Sequence, residues 1–228
     1  MKLVIDIETV GFEFETLSES QQEFLLRAAE KEPNEEQRIK LKDEAIRFLS
    51  LYPLTAKVVA IGMLNTETEH SMVLFEGSEV KEWQSEETGV KYCSYSEAEM
   101  LTHFWNYVKK ADAVVTFNGR NFDIPFLMMR SAILKIKPSR NFIKKRYDNN
   151  SHIDLLEVLT NFGTTKKFNL DFYCKSFGIE SPKSHGVSGM DVKQLYAAGK
   201  LEEIATYCGH DVEATYKLYK IWDEFLNI

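Results

Sequence analysis

Residues 201–226 carry a helical stripe that is broken in one place. Ile204, Cys208, Thr215, Leu218, Tyr219 and Trp222 recur at spacings of three, four and seven. At about 100° per residue they share one face of a helix. Glu203, His210, Glu213, Lys217, Lys220 and Glu224 fall on the opposite face. Asp211 stands in the middle of the apolar face. A lone buried carboxylate is costly unless it is paired, protonated or bound to a metal, so this residue constrains whatever packs against the helix. Two readings are open: a core Asp satisfied by an Arg or a backbone donor, or one member of a polar site. Tyr207 lies one turn earlier on the same side. Gly209 weakens the helix by roughly 1 kcal/mol relative to alanine, which makes sense where something approaches closely.

Two further segments bring acids to similar positions. Leu3 to Glu8 reads as a strand in which Asp6 and Glu8 leave one face and Ile5 and Ile7 the other. Two like charges side by side on a buried strand repel, and one pKa should rise; a divalent cation would remove that penalty. Asp-x-Glu also occurs on exposed strands. Ala113 to Phe117 reads as a buried strand, followed by Asn118-Gly119-Arg120-Asn121-Phe122-Asp123 at the start of a helix. Asp123 can be a helix cap. This strand is expected parallel to strand one, and ligands in open α/β sheets gather at the carboxyl ends of strands. Asp6, Glu8, Asp123 and Asp211 together form an all-oxygen set that favours Mg²⁺ or Mn²⁺. Four acids around two cations about 4 Å apart fit a two-metal phosphoryl-transfer site. Tyr207, with an ordinary pKa near 10, is expected to orient the attacking water first and to accept its proton second.

The rest of the chain fills in an α/β sheet with an antiparallel edge. Glu13 to Ser50 reads as two amphipathic helices broken near Pro33-Asn34, with Pro53 as a stop. Lys57–Leu64 and His70–Phe75 form a predicted hairpin, and Gly77–Gly89 a polar loop. Ser96 and Glu99 make a capping box for a helix through Lys110. Phe122–Ile136, Leu155–Phe162, Leu170–Phe177, Val192–Ala198 and Leu201–Leu226 are predicted helices. Ser151–Asp154 is a predicted short strand, with Asp154 capping the helix that begins at Leu155. No repeat or interdomain linker is visible, so residues 1–228 are expected to form one domain with a charged helical insertion at about 13–52.

Composition narrows the class. With 44% hydrophobic and 12% aromatic residues the chain can bury a core, which argues against disorder. No apolar run approaches the roughly 20 residues of a membrane helix, and an acid at position 6 argues against a secretory leader. Cys93, Cys174 and Cys208 are odd in number and lack metal-type spacing; free thiols in a reducing cytoplasm are expected. The net charge of −7 argues against a basic nucleic-acid binder. The average conceals the stretch Ile124–Tyr147, which has no Asp or Glu but holds Arg130, Lys135, Lys137, Arg140, Lys144, Lys145 and Arg146. That stretch can guide a phosphate backbone or be a solvated face. Phe142 and Tyr147 can stack on bases or pack.

Asp6-Ile7-Glu8-Thr9, Asn118-x-x-x-Phe122-Asp123 and Tyr207-x-x-x-Asp211 resemble the three motifs of the DEDDy 3′–5′ exonucleases. The runs Phe117–Leu127 and Tyr207–Thr215 are most similar to the proofreading exonuclease domain of family B DNA polymerases. The resemblance implies an RNase H-like fold: a mixed central sheet, with an antiparallel hairpin and parallel strands, flanked by helices. It implies that Asp6, Glu8 and Asp211 bind one divalent cation, that Asp6 bridges to a second, and that Asp123 holds the second through water. It implies that backbone around Glu8-Thr9 grips the terminal nucleotide and that Asn118 and Phe122 contact the strand. Lys183 is a candidate phosphate contact or a solvated loop lysine, and His152-Ile153-Asp154 stands where this family often carries a histidine or an acid, beside the reading of Asp154 as a cap. The implied reaction is hydrolysis of single-stranded nucleic acid, DNA favoured, from the 3′ end to 5′-mononucleotides. Unlike the polymerases, the sequence shows no polymerase domain, so a stand-alone protein or a subunit is expected, and the 13–52 segment can cover the site, read substrate or bind a protein partner. Two alternatives remain open at this point: a non-catalytic module that grips 3′ ends or a partner, and an RNA-trimming exoribonuclease.

Overall fold

The computed structural model describes residues 1–77, 79–143 and 150–228. Its centre is a seven-stranded mixed sheet in the order β4-β5-β3-β2-β1-β6-β7. The strands are β1 (Lys2–Gly11), β2 (Ala56–Asn65), β3 (Ser71–Glu76), β4 (Glu82–Gln84), β5 (Lys91–Tyr95), β6 (Ala113–Thr116) and β7 (His152–Asp154). The expected hairpin is β2–β3, whose strands are antiparallel to each other, with β2 also antiparallel to β1. β6 and β7 extend the sheet in parallel beyond β1. β5 runs parallel to β3, with β4 as an antiparallel edge.

β1 alternates as its sequence requires. Leu3, Ile5 and Ile7 enter a core beneath α3 (Glu97–Val108) and α4 (Asp123–Ile133), with Phe104, Trp105, Phe126 and Leu127. Val4 and Val10 face the other layer, built on α7 (Val192–Ala197) and the long α8 (Leu201–Phe225). α5 (Leu155–Leu159) and α6 (Leu170–Ser176) complete that side. Burial of both sheet faces is the main stabilising term, at about 25 cal/mol per Å² of apolar surface.

The insertion folds as α1 (Glu19–Glu30) and α2 (Glu35–Arg47), with Asn34 capping α2 through Gln37 N. The two helices bury a single residue, Ala29. They join the sheet through a 3₁₀ turn, Phe48–Leu51, where Thr9 Oγ1 donates to Ser50 O at 2.7 Å.

The capping box at Ser96 is present. The polar loop expected over Gly77–Gly89 instead contains β4, and β5 follows it. Trp83 explains the difference, since its ring stacks on Tyr92 at 5.0 Å and gives a short polar strand an apolar anchor. α4 ends at Ile133 rather than Ile136, and Lys135 takes a left-handed φ of 60°. All three cysteines are buried free thiols. Among the described residues no helix is long and apolar enough to cross a membrane.

Candidate active site

Asp6 and Glu8 leave β1 on the α8 side. Opposite Asp6 on β2 stands Gly62. A methyl group there would lie 2.5 Å from Val212 Cγ2 and 3.0 Å from Cys208 Sγ. A bare backbone at this level lets α8 settle onto the sheet. Asp211 is thereby pressed against β1. One carboxylate oxygen from each of Asp6, Glu8 and Asp211 lies within 4.8 Å of the others. Cys208 Sγ sits 3.8 Å from Asp6 Oδ2.

The fourth acid arrives through a gap between strands. β1 and β6 pair only from Lys2 to Val4. Just past that point the first residue of α4 reaches in, and Asp123 Oδ1 accepts from Ile7 N at 3.2 Å. The reading of Asp123 as a helix cap does not hold, because Phe122 occupies the N-cap position. The β1–β2 ladder shifts register beside the cluster: Glu8 faces Ala60 and Thr9 faces Val58, so Val59 of β2 is the extra, bulged residue.

Electrostatics follow from this crowding. Burial, then the Asp211, Asp123 and Glu8 charges, push the Asp6 carboxyl well above the ordinary carboxylate range. Burial, then Asp211 and Asp123, do the same to Glu8. Burial raises Asp123 to about 7, with the Asp154 charge adding to it. Asp211 rises to about 6 through burial, held back by a hydrogen bond from Tyr207 and by the Lys183 charge. Tyr207 itself is pushed far above an ordinary phenol by burial and by Asp211 and Glu8, so it stays protonated. Among the described residues no lysine or arginine forms an ion pair with any of the four acids. Asp211 is therefore not a core carboxylate neutralised by an arginine. A compact set of carboxylate oxygens without a cationic side chain among them suits a hard divalent cation, and Asp6, Glu8 and Asp211 are the residues able to hold it.

The other expected site residues are placed unequally. Asn118, at φ 65°, sits on the loop that leads to Asp123. Phe122 is half-buried, with its ring 5.5 Å from Phe126. Thr9 is buried and its hydroxyl donates to Ser50 O. Lys183 is exposed on a 3₁₀ turn, Pro182–His185, near Asp211. The basic stretch is partly structural. Arg130 forms a buried pair with Glu97, with bonds of 2.8 and 2.7 Å, and Arg140 lies over the Phe142 ring while bonding Ala111 O. Phe142 is buried in the core and cannot stack on a base. Lys144, Lys145, Arg146 and Tyr147 lie outside the described residues. A methyl group on Gly209 would lie 3.3 Å from the Tyr92 hydroxyl, so the group that approaches there is a core tyrosine. Gly62 carries the sequence signal for the docking of α8, because glycine in a strand interior marks a close approach.

Residues 48–225 match the family described as predicted 3′–5′ exonucleases related to the exonuclease domain of PolB. The chain belongs to this exonuclease family. β1, with Asp6 and Glu8, precedes the matched stretch, and the sheet brings it beside β2 and β6, which lie within it. DNA polymerase 1 of Pyrococcus abyssi is 28% identical over 162 residues, covering 64% of this chain and 21% of the polymerase. The DNA polymerase of Thermococcus gorgonarius is 29% identical over 162 residues, with the same coverage. The chain thus spans about a fifth of the length of these curated relatives. The family B DNA polymerase from the hyperthermophilic archaeon Pyrobaculum calidifontis overlays it with a TM-score of 0.58 at 17% identity, covering 96% of this chain and 24% of that one. This is a shared fold, and the mixed sheet flanked by helices expected from the motifs is the one found.

Proposed function

We propose that this exonuclease-family chain is a two-metal 3′–5′ exonuclease acting on single-stranded nucleic acid, DNA in preference to RNA. The observation that carries the reading is the convergence of Asp6, Glu8 and Asp211 within 4.8 Å, with Asp123 tied to the backbone between the first two. Like charges so close in a buried setting destabilise the empty fold, and an inert domain has no use for them. DNA is favoured because the relatives are DNA polymerases.

Asp6, Glu8 and Asp211 would hold one Mg²⁺ or Mn²⁺, and Asp6 with Asp123 a second. When bound, such ions make a water nucleophilic and stabilise the leaving oxygen. The chain's own groups do the rest. Tyr207, protonated and hydrogen-bonded to Asp211, orients the attacking water through its hydroxyl. Backbone around Glu8-Thr9 seats the terminal nucleotide. Asn118 and Phe122 hold the strand on the other side of the scissile bond, and Lys183 contacts a phosphate. Water adds to phosphorus, the bond to the 3′ oxygen breaks, that oxygen takes a proton, and a 5′-mononucleotide leaves. The exposed Phe24 and Ile39 on the α1–α2 hairpin support its reading as a surface for a protein partner.

The test uses 5′-labelled single-stranded DNA and RNA of matched sequence, with Mg²⁺, Mn²⁺ or EDTA, and Asp6→Ala as control. A ladder that shortens by single nucleotides, and is lost with EDTA and in the variant, is expected, faster on DNA. Faster loss of RNA would make the chain an exoribonuclease. Intact strands under every metal, with the strands still bound, would make it a 3′-end-binding module.

A further inference from the structure

The loop that delivers Asn118 and Asp123 is held from outside the three motifs. Asn118 has a left-handed φ of 65°, a conformation that costs a non-glycine residue about 1 kcal/mol or more unless its surroundings fix it. The fixing group is Asp154, at the end of β7. Its Oδ1 accepts from Asn118 N at 2.9 Å and its Oδ2 from Arg120 N at 2.9 Å. One carboxylate thus brackets the turn, filling the anion-binding concavity that successive backbone N–H groups make. Capping alone would need only the bond from Leu156 N at 3.1 Å; the bonds to the loop are additional.

Further contacts clamp the same turn. Thr116 Oγ1 accepts from Gly119 N at 3.2 Å and lies 2.8 Å from His152 Nε2. A methyl group on Gly119 would fall 2.5 Å from Thr116. The Arg120 side chain turns inward, with Nη2 donating to His152 O at 3.0 Å and Nε 2.9 Å from Glu157 Oε2. Both partners of that pair are almost fully buried. A buried pair of this kind adds little net stability, yet breaking it is costly; its use is to fix a geometry.

We propose that Asp154, supported by Thr116 and the Arg120–Glu157 pair, is a positioning residue of the active site: it locks residues 118–122 so that Asn118 and Asp123 meet the substrate and the second cation in register. The catalytic half of this rests on the exonuclease reading; the conformational half does not.

The test compares wild type with Asp154→Asn, which presents a donor to one of the two amides, and with the milder Thr116→Val. Amide hydrogen exchange by NMR reads the loop, and single-turnover cleavage and KM are read on the same samples well below melting. In Asp154→Asn, the Asn118 and Arg120 amides should lose protection by at least about tenfold while β1 and β2 amides keep theirs. The cleavage rate per folded molecule should fall by at least about tenfold, with Mn²⁺ affinity at Asp6, Glu8 and Asp211 unchanged. Thr116→Val should move both readouts in the same direction by a smaller factor, and it carries the test should Asp154→Asn not fold. Unchanged protection would overturn the proposal whatever the cleavage result. Lost protection with an unchanged rate per folded molecule would reduce Asp154 to a structural cap. A wild type that cuts no strand would overturn the exonuclease reading, and with it the catalytic half alone.

Discussion

Tyr207 reaches Asp211 across one turn of α8, and in that buried setting its phenol holds its proton far above the ordinary range. A phenol so held donates hydrogen bonds and cannot act as a base at neutral pH. Tyr207→Phe should therefore slow cleavage by about ten- to a hundredfold and leave metal affinity unchanged by calorimetry; an unaltered rate would remove the hydroxyl from the reaction. Asp211→Asn should lower cleavage by at least about a thousandfold without lowering the melting temperature of the metal-free protein, since it removes one of the repelling charges. A collapsed fold would instead mean that Asp211 is a structural carboxylate. Both residues were legible in the sequence because α8 has a clean register, and an acid in an apolar stripe stands out. Asp154 was legible as a cap, or as an acid where the resembled family often carries one, but not as the clamp of this loop, since its bonds to Asn118 and Arg120 depend on how β6 and β7 lie side by side.

At the level of elements, the site depends on how deeply α8 sits on the sheet. Gly62 sets that depth. Gly62→Ala would place its methyl against Val212 and Cys208, backbone-anchored groups of a packed core. Overpacking of this kind costs about 1–3 kcal/mol, which for a chain this size lowers the melting temperature by about 2–4 °C per kcal/mol. It should also weaken Mn²⁺ binding, because lifting α8 separates Asp211 from Asp6 and Glu8. Calorimetry that finds normal affinity in the variant would show that the helix position tolerates the shift. The sequence hid this because Ala60-Ile61-Gly62-Met63 reads as an ordinary strand, and strand pairing across from Asp6 is a long-range fact. β4 was hidden for a similar reason: Glu82-Trp83-Gln84 is polar, and only the stacking of Trp83 on Tyr92 makes it part of the sheet.

Over the whole molecule, the cluster ties stability to pH and metal. The four carboxyls have raised pKa values in the fold, so the stability they contribute is present below about pH 4 and is lost as pH rises through their folded values. His152 acts in the opposite sense: burial lowers it to about 3, so its contribution is full above about pH 6.5 and is lost as pH falls. The two effects oppose each other between about pH 4 and 6.5, and above that window the carboxyls act alone. Metal-free protein should therefore lose stability from about pH 6.5 to 8, by about 1.4 kcal/mol per pH unit for each proton the cluster retains. Excess Mg²⁺ or Mn²⁺ should raise the melting temperature most at the high end of that range, because protons and cations compete for the same oxygens. Thermal melts across the range, with and without metal, check this; a flat metal-free profile would mean that the acids are neutralised by protein groups.

The sequence alone determined most of the helices and strands and singled out the acids on β1 and α8, because periodicity and burial penalties are local quantities. It also carried the resemblance to the exonuclease family to which the match over residues 48–225 assigns the chain. The tertiary structure decided what needs distance in the chain to be abolished. It decided that Asp123 bonds the backbone between Asp6 and Glu8 rather than capping its helix, and that the Thr9 hydroxyl donates to Ser50 O. It buried Arg130 and Phe142, withdrawing them from any role toward substrate, and made Gly62 the seat of α8. Those outcomes turn on which strands are neighbours and where their pairing stops, and a side chain's partners across a sheet leave no trace in its own stretch of sequence.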